Sequence, residues 1–307
     1  MFKLKIITRK LRSFMRLSLI LIKKINETIA FIRTDKNNRI VLSTWIDLYN
    51  NRVTHNNWGD DINYHFLKEI TNQKIFNLGN LVKIFLSDKT NYLAIGSIIE
   101  SHCNENSVIW GSGAMRSSKD LKSIPKKVLA VRGPLTRDFL LSRGINCPEI
   151  YGDPALLISR FYKPEIQKKY KVGLIPHYLD LDNENVKRLL KRYPSDIVLI
   201  NLKEYKDWHD IIDKINECEF ILSSSLHGLI ISDSYNIPNL WVKFSDKIGG
   251  GNFKYLDYFK SVGRVTELPI NGNSLMNLKE ILKYKNTWKP IDIDLNPLIN
   301  CCPFKLN

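Results

Sequence analysis

The sequence predicts an α/β protein with two Rossmann-like domains facing a cleft, preceded by a basic amphipathic N-terminal helix. Apolar, β-rich runs alternate with helical stretches along the chain, which is the pattern of parallel sheets covered by helices. The alternation forms two series, separated by the charged stretch 159–171, which contains Pro164. The length of 307 residues suits two domains of about 150 residues each.

The predicted helix occupies residues 1–35. Spacings of three and four residues define one face, formed by Leu4, Ile7, Leu11, Phe14, Ser18, Leu21 and Ile25. Lysines and arginines fill much of the remainder, and no acidic residue precedes Glu27. The uncharged run 17–22 is too short to span a bilayer, which needs about 20 apolar residues. Such a helix either lies on an anionic membrane surface or packs on the protein's own core with its basic face in water.

The first series predicts a domain over residues 36–165. Its predicted strands are RIVLSTW (39–45), YLAIGSII (92–99), SVIWGSG (107–113) and KVLAVRG (127–133). One helix is predicted from about Asp60. A second covers residues 134–144, because Pro134 suits its first turn and Gly144 lies past its end.

The second series predicts a domain over residues 166–300, followed by a tail, 301–307. Its strands are KVGLIPHY (171–178), DIVLINL (196–202), EFILSS (219–224) and PNLWVKF (238–244). Its helices are NENVKRLLKRY (183–193), DWHDIIDKINEC (207–218), LHGLIISDSYN (226–236) and NFKYLDYFKSVG (252–263).

Charge and cysteine content exclude several classes of protein. The net charge is +15, but eight cations precede Glu27 and the rest of the chain carries only +7. No basic patch interleaved with aromatic residues occurs elsewhere, so we expect no nucleic-acid partner. The five scattered cysteines include no CxxC pair, which argues against a disulfide framework and a zinc site. We therefore expect a cytoplasmic protein with no metal and no cofactor.

The stretch FILSSSLHG, 220–228, carries the strongest site signal. Ligands of such sheets bind at the carboxyl ends of strands, and here a strand ends beside Ser223, Ser224 and Ser225. The unpaired N–H groups of a helix N-terminus attract anions, and His227 in the first turn adds a donor. The alternative is an ordinary serine cap followed by a packed histidine.

Two further post-strand motifs carry charged side chains. Arg132 stands directly before a predicted helix, and its flat guanidinium suits a carboxylate or a phosphate. A salt bridge to a neighbouring acid is the alternative. Trp58 and a glycine precede Asp60 and Asp61, either of which is a candidate general base. The alternative for this pair is helix capping.

Other residues near predicted strand ends and loops are further candidates. His177 follows a strand and His55 precedes the glycine turn, so each is a candidate for substrate contact or for packing. Lys247 lies beside the glycine loop 249–251, which can close over an anion or serve only as a loop. Asp180 and Asp182 form a DxD pattern that we interpret as helix capping.

The order and spacing of these motifs resemble the polysaccharide pyruvyl transferases. The resemblance covers about residues 55–265 and leaves the N-terminal helix outside. Its parts are NWGDDINYHFLKEIT, IWGSGAM, LAVRGPLTRDFLLSRG, YGDPALL, GLIPHY, SSSLHGLIISDSYNIP and SDKIGGGNFKYLDYFKSVG. It implies a GT-B-like fold and transfer of pyruvate from phosphoenolpyruvate to two sugar hydroxyls, which forms a cyclic ketal. It also implies that Arg132 and His227 contact phosphoenolpyruvate.

The chain departs from the family pattern at Ser225, where some members have arginine. If that arginine grips phosphate, Lys247 or Lys254 is a candidate to replace it. We assign the remaining roles on this basis. Phosphoenolpyruvate would contact Arg132, Ser223, Ser224, Ser225, His227 and Lys247. The acceptor would contact Asn57, Trp58 and His177, with His227 as proton donor and Asp60 or Asp61 as base.

The expected partners are phosphoenolpyruvate and a sugar acceptor, a lipid-linked oligosaccharide met at the inner face of the membrane. Two alternatives remain open at this stage. The first is a GT-B-like glycosyltransferase that uses a nucleotide sugar. The second is a non-catalytic, membrane-associated subunit that binds carbohydrate.

Overall fold

The structure is a computed structural model. It describes residues 2–50, 52–54, 57–82, 89–116, 120–265 and 268–307, with the backbone alone for residues 2–14 and 16. Its described residues form two parallel β-sheets of five strands each, covered by helices, and one short antiparallel hairpin. The prediction of an α/β protein with parallel sheets is therefore confirmed.

Helix α1, Phe2–Arg33, contacts the first sheet with its last third. Phe31 is buried against Phe76, with ring centroids 5.4 Å apart. The Lys23 amine lies 2.7 Å from Asp47, and Glu27 accepts a hydrogen bond from the backbone N–H of Asn50. These contacts attach the end of α1 to the loop that follows the first strand.

The first sheet has the strand order β4-β1-β5-β6-β7, and all of its neighbours are parallel. Its strands are β1 (Arg39–Leu42), β4 (Lys74–Asn77), β5 (Asn91–Leu93), β6 (Ser107–Trp110) and β7 (Lys127–Ala130). The hairpin is formed by β2 (Leu48–Tyr49) and β3 (Arg52–Val53). The helices of this half are α2 (Trp58–Thr71), α3 (Ile99–His102), α4 (Pro134–Leu141) and α5 (Ile158–Phe161).

The second sheet has the order β12-β11-β10-β8-β9 and is also parallel. Its strands are β8 (Val172–Ile175), β9 (Ile197–Leu199), β10 (Ile221–Ser223), β11 (Asn239–Lys243) and β12 (Ile270–Asn271). Its helices are α6 (Glu184–Arg192), α7 (His209–Asn216), α8 (Leu226–Ser234), α9 (Phe253–Ser261), α10 (Leu278–Lys283) and α11 (Asn296–Asn300).

The chain crosses between the two halves more than once. It leaves the first half after α5 and enters the second at β8. It then returns after α10. The Trp110 indole donates to the carbonyl oxygen of Leu298 over 2.9 Å, and the ring of Phe304 lies 4.7 Å from that of Tyr92. The segment predicted as a tail, 301–307, therefore packs on the first sheet.

No helix within the described parts of the chain combines the length and the apolar content needed to cross a membrane.

Candidate active site

A cavity of about 430 Å³ is lined by residues that follow strands of both sheets. Its lining from the first half is Trp45, Asn57, Asp60, Ser97, Ile98 and Met115. The second half contributes His177, Tyr178, Leu202, Lys203, Ser225, Leu226, His227 and Lys254. Five of the predicted site residues thus meet in one cavity, namely Asn57, Asp60, His177, Ser225 and His227.

Of the three serines at the end of β10 and directly after it, two form hydrogen bonds with the backbone and one lines the cavity. The Ser223 hydroxyl donates to the carbonyl oxygen of Ser225 (2.8 Å) and accepts from its N–H (3.0 Å). The Ser224 hydroxyl accepts from the backbone N–H of His177. Ser223 and Ser224 are therefore committed to the backbone and do not line the cavity. Ser225 lines it, and its side chain does not cap α8.

His227 lies at the cavity wall against the motif WGDD. A Cβ on Gly59 would lie 3.0 Å from Cγ of His227 and closer still to its Nδ1, so the ring packs directly on the glycine. The Nε2 atom of His227 is buried and has no hydrogen-bond partner among the residues that the structure describes. Burial and the nearby charges of Lys254 and Arg132 lower the pKa of His227 to about 3. The imidazole is therefore neutral near pH 7 when the cavity holds no anion.

Lys254 supplies the buried cation of the cavity. It lies in the first turn of α9, is 8% exposed and lines the cavity beside His227. Burial and the charge of Arg132 lower the pKa of Lys254 to about 8, while Asp60 opposes the shift. A buried ammonium is costly, so a residue of this kind needs an anion to neutralise it. Lys254, which the sequence suggested only as a replacement cation, occupies the position expected of an anion ligand.

Arg132 lies behind the cavity wall and is fully buried. Its Nε donates to Asp257 (3.0 Å), its Nη2 to the carbonyl oxygen of Ala114 (2.7 Å), and its Nη1 to the hydroxyl of Ser97. The salt bridge that we noted as the alternative is thus present. Arg132 does not line the cavity, whereas Ser97, which accepts the hydrogen bond of its Nη1, does. The contact of Arg132 with phosphoenolpyruvate stays a prediction.

The residues of the motif WGDD lie partly at the cavity and partly in the core. Asp60 lines the cavity and accepts a hydrogen bond from the Asn57 amide at 2.6 Å. Asp61 is fully buried and accepts from the Asn57 N–H (2.9 Å) and the Tyr205 hydroxyl (2.7 Å). Asp61 therefore caps α2. Trp58 is also fully buried, and its indole N–H donates a hydrogen bond to the Trp208 carbonyl oxygen. No surface of its side chain is therefore exposed for the contact with the acceptor that the sequence predicted.

The remaining candidates have different placements. His177 lines the cavity, and burial together with Lys254 lowers its pKa to about 4. Lys247 is exposed in the glycine loop, and its side chain does not line the cavity. Buried Asp180 accepts from the Ser245 hydroxyl, in keeping with a structural role. His55 lies outside the described residues.

Two motif glycines are explained by close packing of the backbone. A Cβ on Gly133 would lie 2.7 Å from the backbone carbon of Asp257, in α9. A Cβ on Gly228 would lie 3.0 Å from a side-chain carbon of Ile175 and closer to the Ser223 hydroxyl. These glycines allow α9 and α8 to approach the strand ends, and thereby bring Lys254 and His227 to the cavity.

Several cavity residues were missed from the sequence. Trp45 was assigned to the end and Ser97 to the interior of a predicted strand, but β1 ends at Leu42 and β5 at Leu93, so both residues belong to post-strand loops. Tyr178 stood in a noted motif without a role, and Lys203 had no motif at all. Exact strand ends would have identified the first two.

Comparison with known proteins identifies the family. A family model described as polysaccharide pyruvyl transferase matches residues 18–246. The match begins within α1, so the expectation that the whole N-terminal helix lies outside the resemblance is wrong. It ends before Lys247 and Lys254. No solved structure matches the chain at a significant level.

Two curated relatives are similar to the chain. It is 33% identical over 173 residues to "Uncharacterized protein L143" of Acanthamoeba polyphaga mimivirus, covering 55% of the chain and 59% of the relative. It is 28% identical over 223 residues to "Succinoglycan biosynthesis protein ExoV" of Rhizobium meliloti (strain 1021), covering 68% of the chain and 62% of the relative. The chain thus spans about three fifths of the length of each relative.

Proposed function

The chain belongs to the polysaccharide pyruvyl transferase family, and we propose that it transfers pyruvate from phosphoenolpyruvate to two hydroxyls of a sugar. The product is a cyclic ketal, and inorganic phosphate is released. The observation that carries the proposal is the pairing of a neutral His227, whose Nε2 has no hydrogen-bond partner in the described part of the chain, with the buried cation Lys254 in one cavity. A small ligand with two anionic groups satisfies both.

Each anionic group of phosphoenolpyruvate has a suitable partner. Lys254 lines the cavity and binds one of these groups through a charge-assisted hydrogen bond. The N-terminus of α8 takes the other through its first-turn N–H groups and the Ser225 hydroxyl, because a helix N-terminus attracts anions. Arg132 adds positive potential from behind Ser97. Lys247 reaches the ligand only if the glycine loop closes, so we give it an auxiliary role.

His227 is the proton donor to the methylene carbon of phosphoenolpyruvate. Its low pKa means that it is neutral in the empty cavity, so it first takes up a proton when the anions bind and reverse the local charge. Protonation of the methylene carbon makes C2 electron-poor, and one sugar hydroxyl attacks it. The phosphate leaves, and attack by the second hydroxyl closes the ring.

Asp60 is the base that accepts a proton from an attacking hydroxyl. Of the two aspartates left open by the sequence, only Asp60 lines the cavity, whereas Asp61 holds the start of α2. Asn57 orients the Asp60 carboxylate by its hydrogen bond of 2.6 Å. His177, neutral at pH 7 because its pKa is about 4, contacts the acceptor from the second half.

The architecture that fits this proposal is GT-B-like, with domains at residues 36–165 and 166–300 that enclose the substrates between them. It is supported by the two parallel sheets of five strands and by a cavity that both halves line. The polar lining near α8 suits the donor, and the lining near Trp45 suits the acceptor.

We place the enzyme at the inner face of the membrane, where it meets a lipid-linked acceptor. Large apolar side chains of α1 are exposed, namely Met15, Leu17, Leu19, Ile20, Leu21, Ile22, Ile25, Ile29 and Ile32. Such a concentration on one helix indicates an interaction surface. The cations of residues 1–24 favour anionic lipids, so the helix lies in the interface as a peripheral anchor.

The donor is tested by thermal shift with phosphoenolpyruvate, UDP-sugars and inorganic phosphate as separate additions. Phosphoenolpyruvate raises the melting temperature because it binds the native state, and His227→Gln weakens the effect. Lys260→Met, an exposed lysine on the same helix as Lys254, serves as the control. Stabilisation by UDP-sugars alone would support a glycosyltransferase instead.

Turnover is then followed as acceptor-dependent phosphate release, with a product heavier by one pyruvate less one water. Binding of phosphoenolpyruvate without release by any acceptor would favour the non-catalytic subunit. Membrane attachment is tested by flotation with anionic liposomes after deletion of residues 1–20, which leaves the contacts of Lys23, Glu27 and Phe31 in place. The deletion also removes six of the eight cations that precede Glu27, so flotation that survives it contradicts the part of the anchor assigned to these cations.

A further inference from the structure

The cavity changes character from its floor to its mouth. Lys254 and Ser225 are almost completely buried, whereas Trp45 is 57% and Tyr178 is 45% exposed. The ammonium of Lys254 therefore lies deep in the cavity, and two large aromatic rings lie at its entrance, where Lys203 is also exposed. A tryptophan this exposed is uncommon, because burial of its large ring is favourable. The residues proposed above to bind the donor lie at the floor of the cavity, so neither aromatic ring has a role in donor binding.

Trp45 is held at the mouth from the first half of the chain. Its ring meets the ring of His102 edge-to-face, with centroids 4.5 Å apart and an angle of 81°. His102 is fixed in turn by a hydrogen bond of 2.8 Å to Ser101, and burial lowers its pKa to about 4. The edge contact with a neutral ring orients the indole and leaves a large part of it exposed to the cavity.

Tyr178 is held at the mouth from the second half. Its ring lies 4.3 Å from the ring of His177, tilted by 33°, and the Lys203 amine lies 5.2 Å from its centroid. His177 itself is anchored, because its backbone N–H donates to Ser224 over 2.8 Å. Packing by a histidine and a lysine restricts the ring while it remains 45% exposed.

We propose that Trp45 and Tyr178 form the acceptor subsite and bind one hexopyranose ring of the sugar acceptor by stacking. The C–H face of a pyranose is apolar and flat, and a fixed aromatic ring covers it with little loss of side-chain entropy. The hydroxyl edge of the sugar then points toward Asp60 at the floor. This inference rests on the proposed function, and it assigns acceptor binding to two residues that the sequence analysis did not select.

The test uses acrylamide quenching of tryptophan fluorescence. Trp45 is exposed, Trp288 is half-buried, and the other four tryptophans, Trp58, Trp110, Trp208 and Trp241, are buried. Methyl hexopyranosides are the probes, because aryl glycosides would stack through their own ring. They are added in the presence of saturating phosphoenolpyruvate. The signal of Trp45 is obtained as the difference between wild type and Trp45→Phe.

We expect a methyl hexopyranoside to protect Trp45 from acrylamide in the wild type. Tyr178→Ala should raise the sugar concentration needed by about tenfold, the scale of one stacking contact. Phe161→Ala, which removes an exposed aromatic residue outside the cavity, should leave it unchanged. Failure of every hexopyranoside to protect Trp45, equal protection by UMP, or an equal effect of Phe161→Ala would overturn the inference.

The same proteins separate this inference from the proposed function. Phosphoenolpyruvate should still stabilise Tyr178→Ala and Trp45→Phe to thermal unfolding, because neither variant changes the floor. Stabilisation by phosphoenolpyruvate without sugar protection refutes the aromatic subsite alone. Loss of the phosphoenolpyruvate response in the wild type refutes the donor.

Discussion

Replacement of Lys254 by methionine is expected to stabilise the unliganded protein and to abolish its response to phosphoenolpyruvate. Lys254 is 8% exposed and lies in a cavity that also receives the positive potential of Arg132. Methionine keeps the unbranched apolar stem and removes the ammonium, so packing changes little. The charge of Lys254 is thus predicted to reduce stability in the empty enzyme and to be required for donor binding.

The size of the effect follows from the pKa of Lys254. A pKa lowered from 10.5 to about 8 means that the folded protein disfavours the charged amine by about 3 kcal/mol. Lys254→Met removes this cost at pH 7. With an unfolding entropy of about 2.1 cal/mol/K per residue, the melting temperature should rise by roughly 5 °C.

The pH dependence of the stability tests the sign of the cost attributed to the charged Lys254 amine. Because the folded pKa of Lys254 lies below the unfolded one, the cost is fully present below about pH 8 and decreases as the pH rises toward 10.5. Stability of the wild type should therefore increase across that window relative to the variant. The difference between the two proteins should vanish above it.

The assay is thermal unfolding from pH 7 to pH 10.5, with and without phosphoenolpyruvate, for wild type, Lys254→Met and the surface control Lys260→Met. The control should match the wild type within about 0.5 kcal/mol. A variant that is less stable than the wild type at pH 7, or that still responds fully to phosphoenolpyruvate, refutes the reasoning.

Three further predictions concern the surroundings of the cavity. Gly59→Ala should displace the His227 ring and lower kcat about 100-fold in the turnover assay. Gly79→Ala is the control, because its added carbon makes only ordinary van der Waals contact, and it should leave kcat unchanged. Arg132→Met should lower the free energy of unfolding in urea by about 3–5 kcal/mol, and the pair with Asp257→Leu should recover part of it; equal destabilisation by single and double variants would contradict this. Phosphoenolpyruvate binding at pH 6.5 should take up protons, measured by calorimetry in two buffers, and His227→Gln should lose that uptake.

The alternation of the central strands and their helices was predicted, because the periodicity of apolar residues reports directly on burial, but the edge strands β4 and β12 were missed. Strand ends were predicted less well, and β5 shows why. The predicted strand continues to residue 99, but the Asn63 amide from α2 bonds both the N–H and the carbonyl oxygen of Ile95. Gly96 then turns the chain with φ of +103°. A polar partner 32 residues away ends the strand, and local periodicity carries no information about it.

The site was predicted in part for the same reason. Motifs that follow strands were expected at the cavity, and Asp60, Ser225 and His227 from two of these motifs line it. Arg132 has an equally suggestive position, but its environment is decided by Asp257, 125 residues further along. Motif spacing locates a residue near the edge of a sheet. Whether its side chain enters the cavity depends on partners from the other half of the fold.

The return of residues 296–307 to the first sheet has a consequence for biosynthesis. Trp110 is synthesised 188 residues before its partner Leu298. Tyr92 is likewise synthesised before Phe304, against which its ring packs. At about 5–20 residues per second, the ribosome needs roughly 10–40 s to cover that interval. Throughout this time the first half lacks the cover for two of its aromatic rings. It therefore completes its packing only after the second half has been synthesised, so the two halves mature together and not in order of translation.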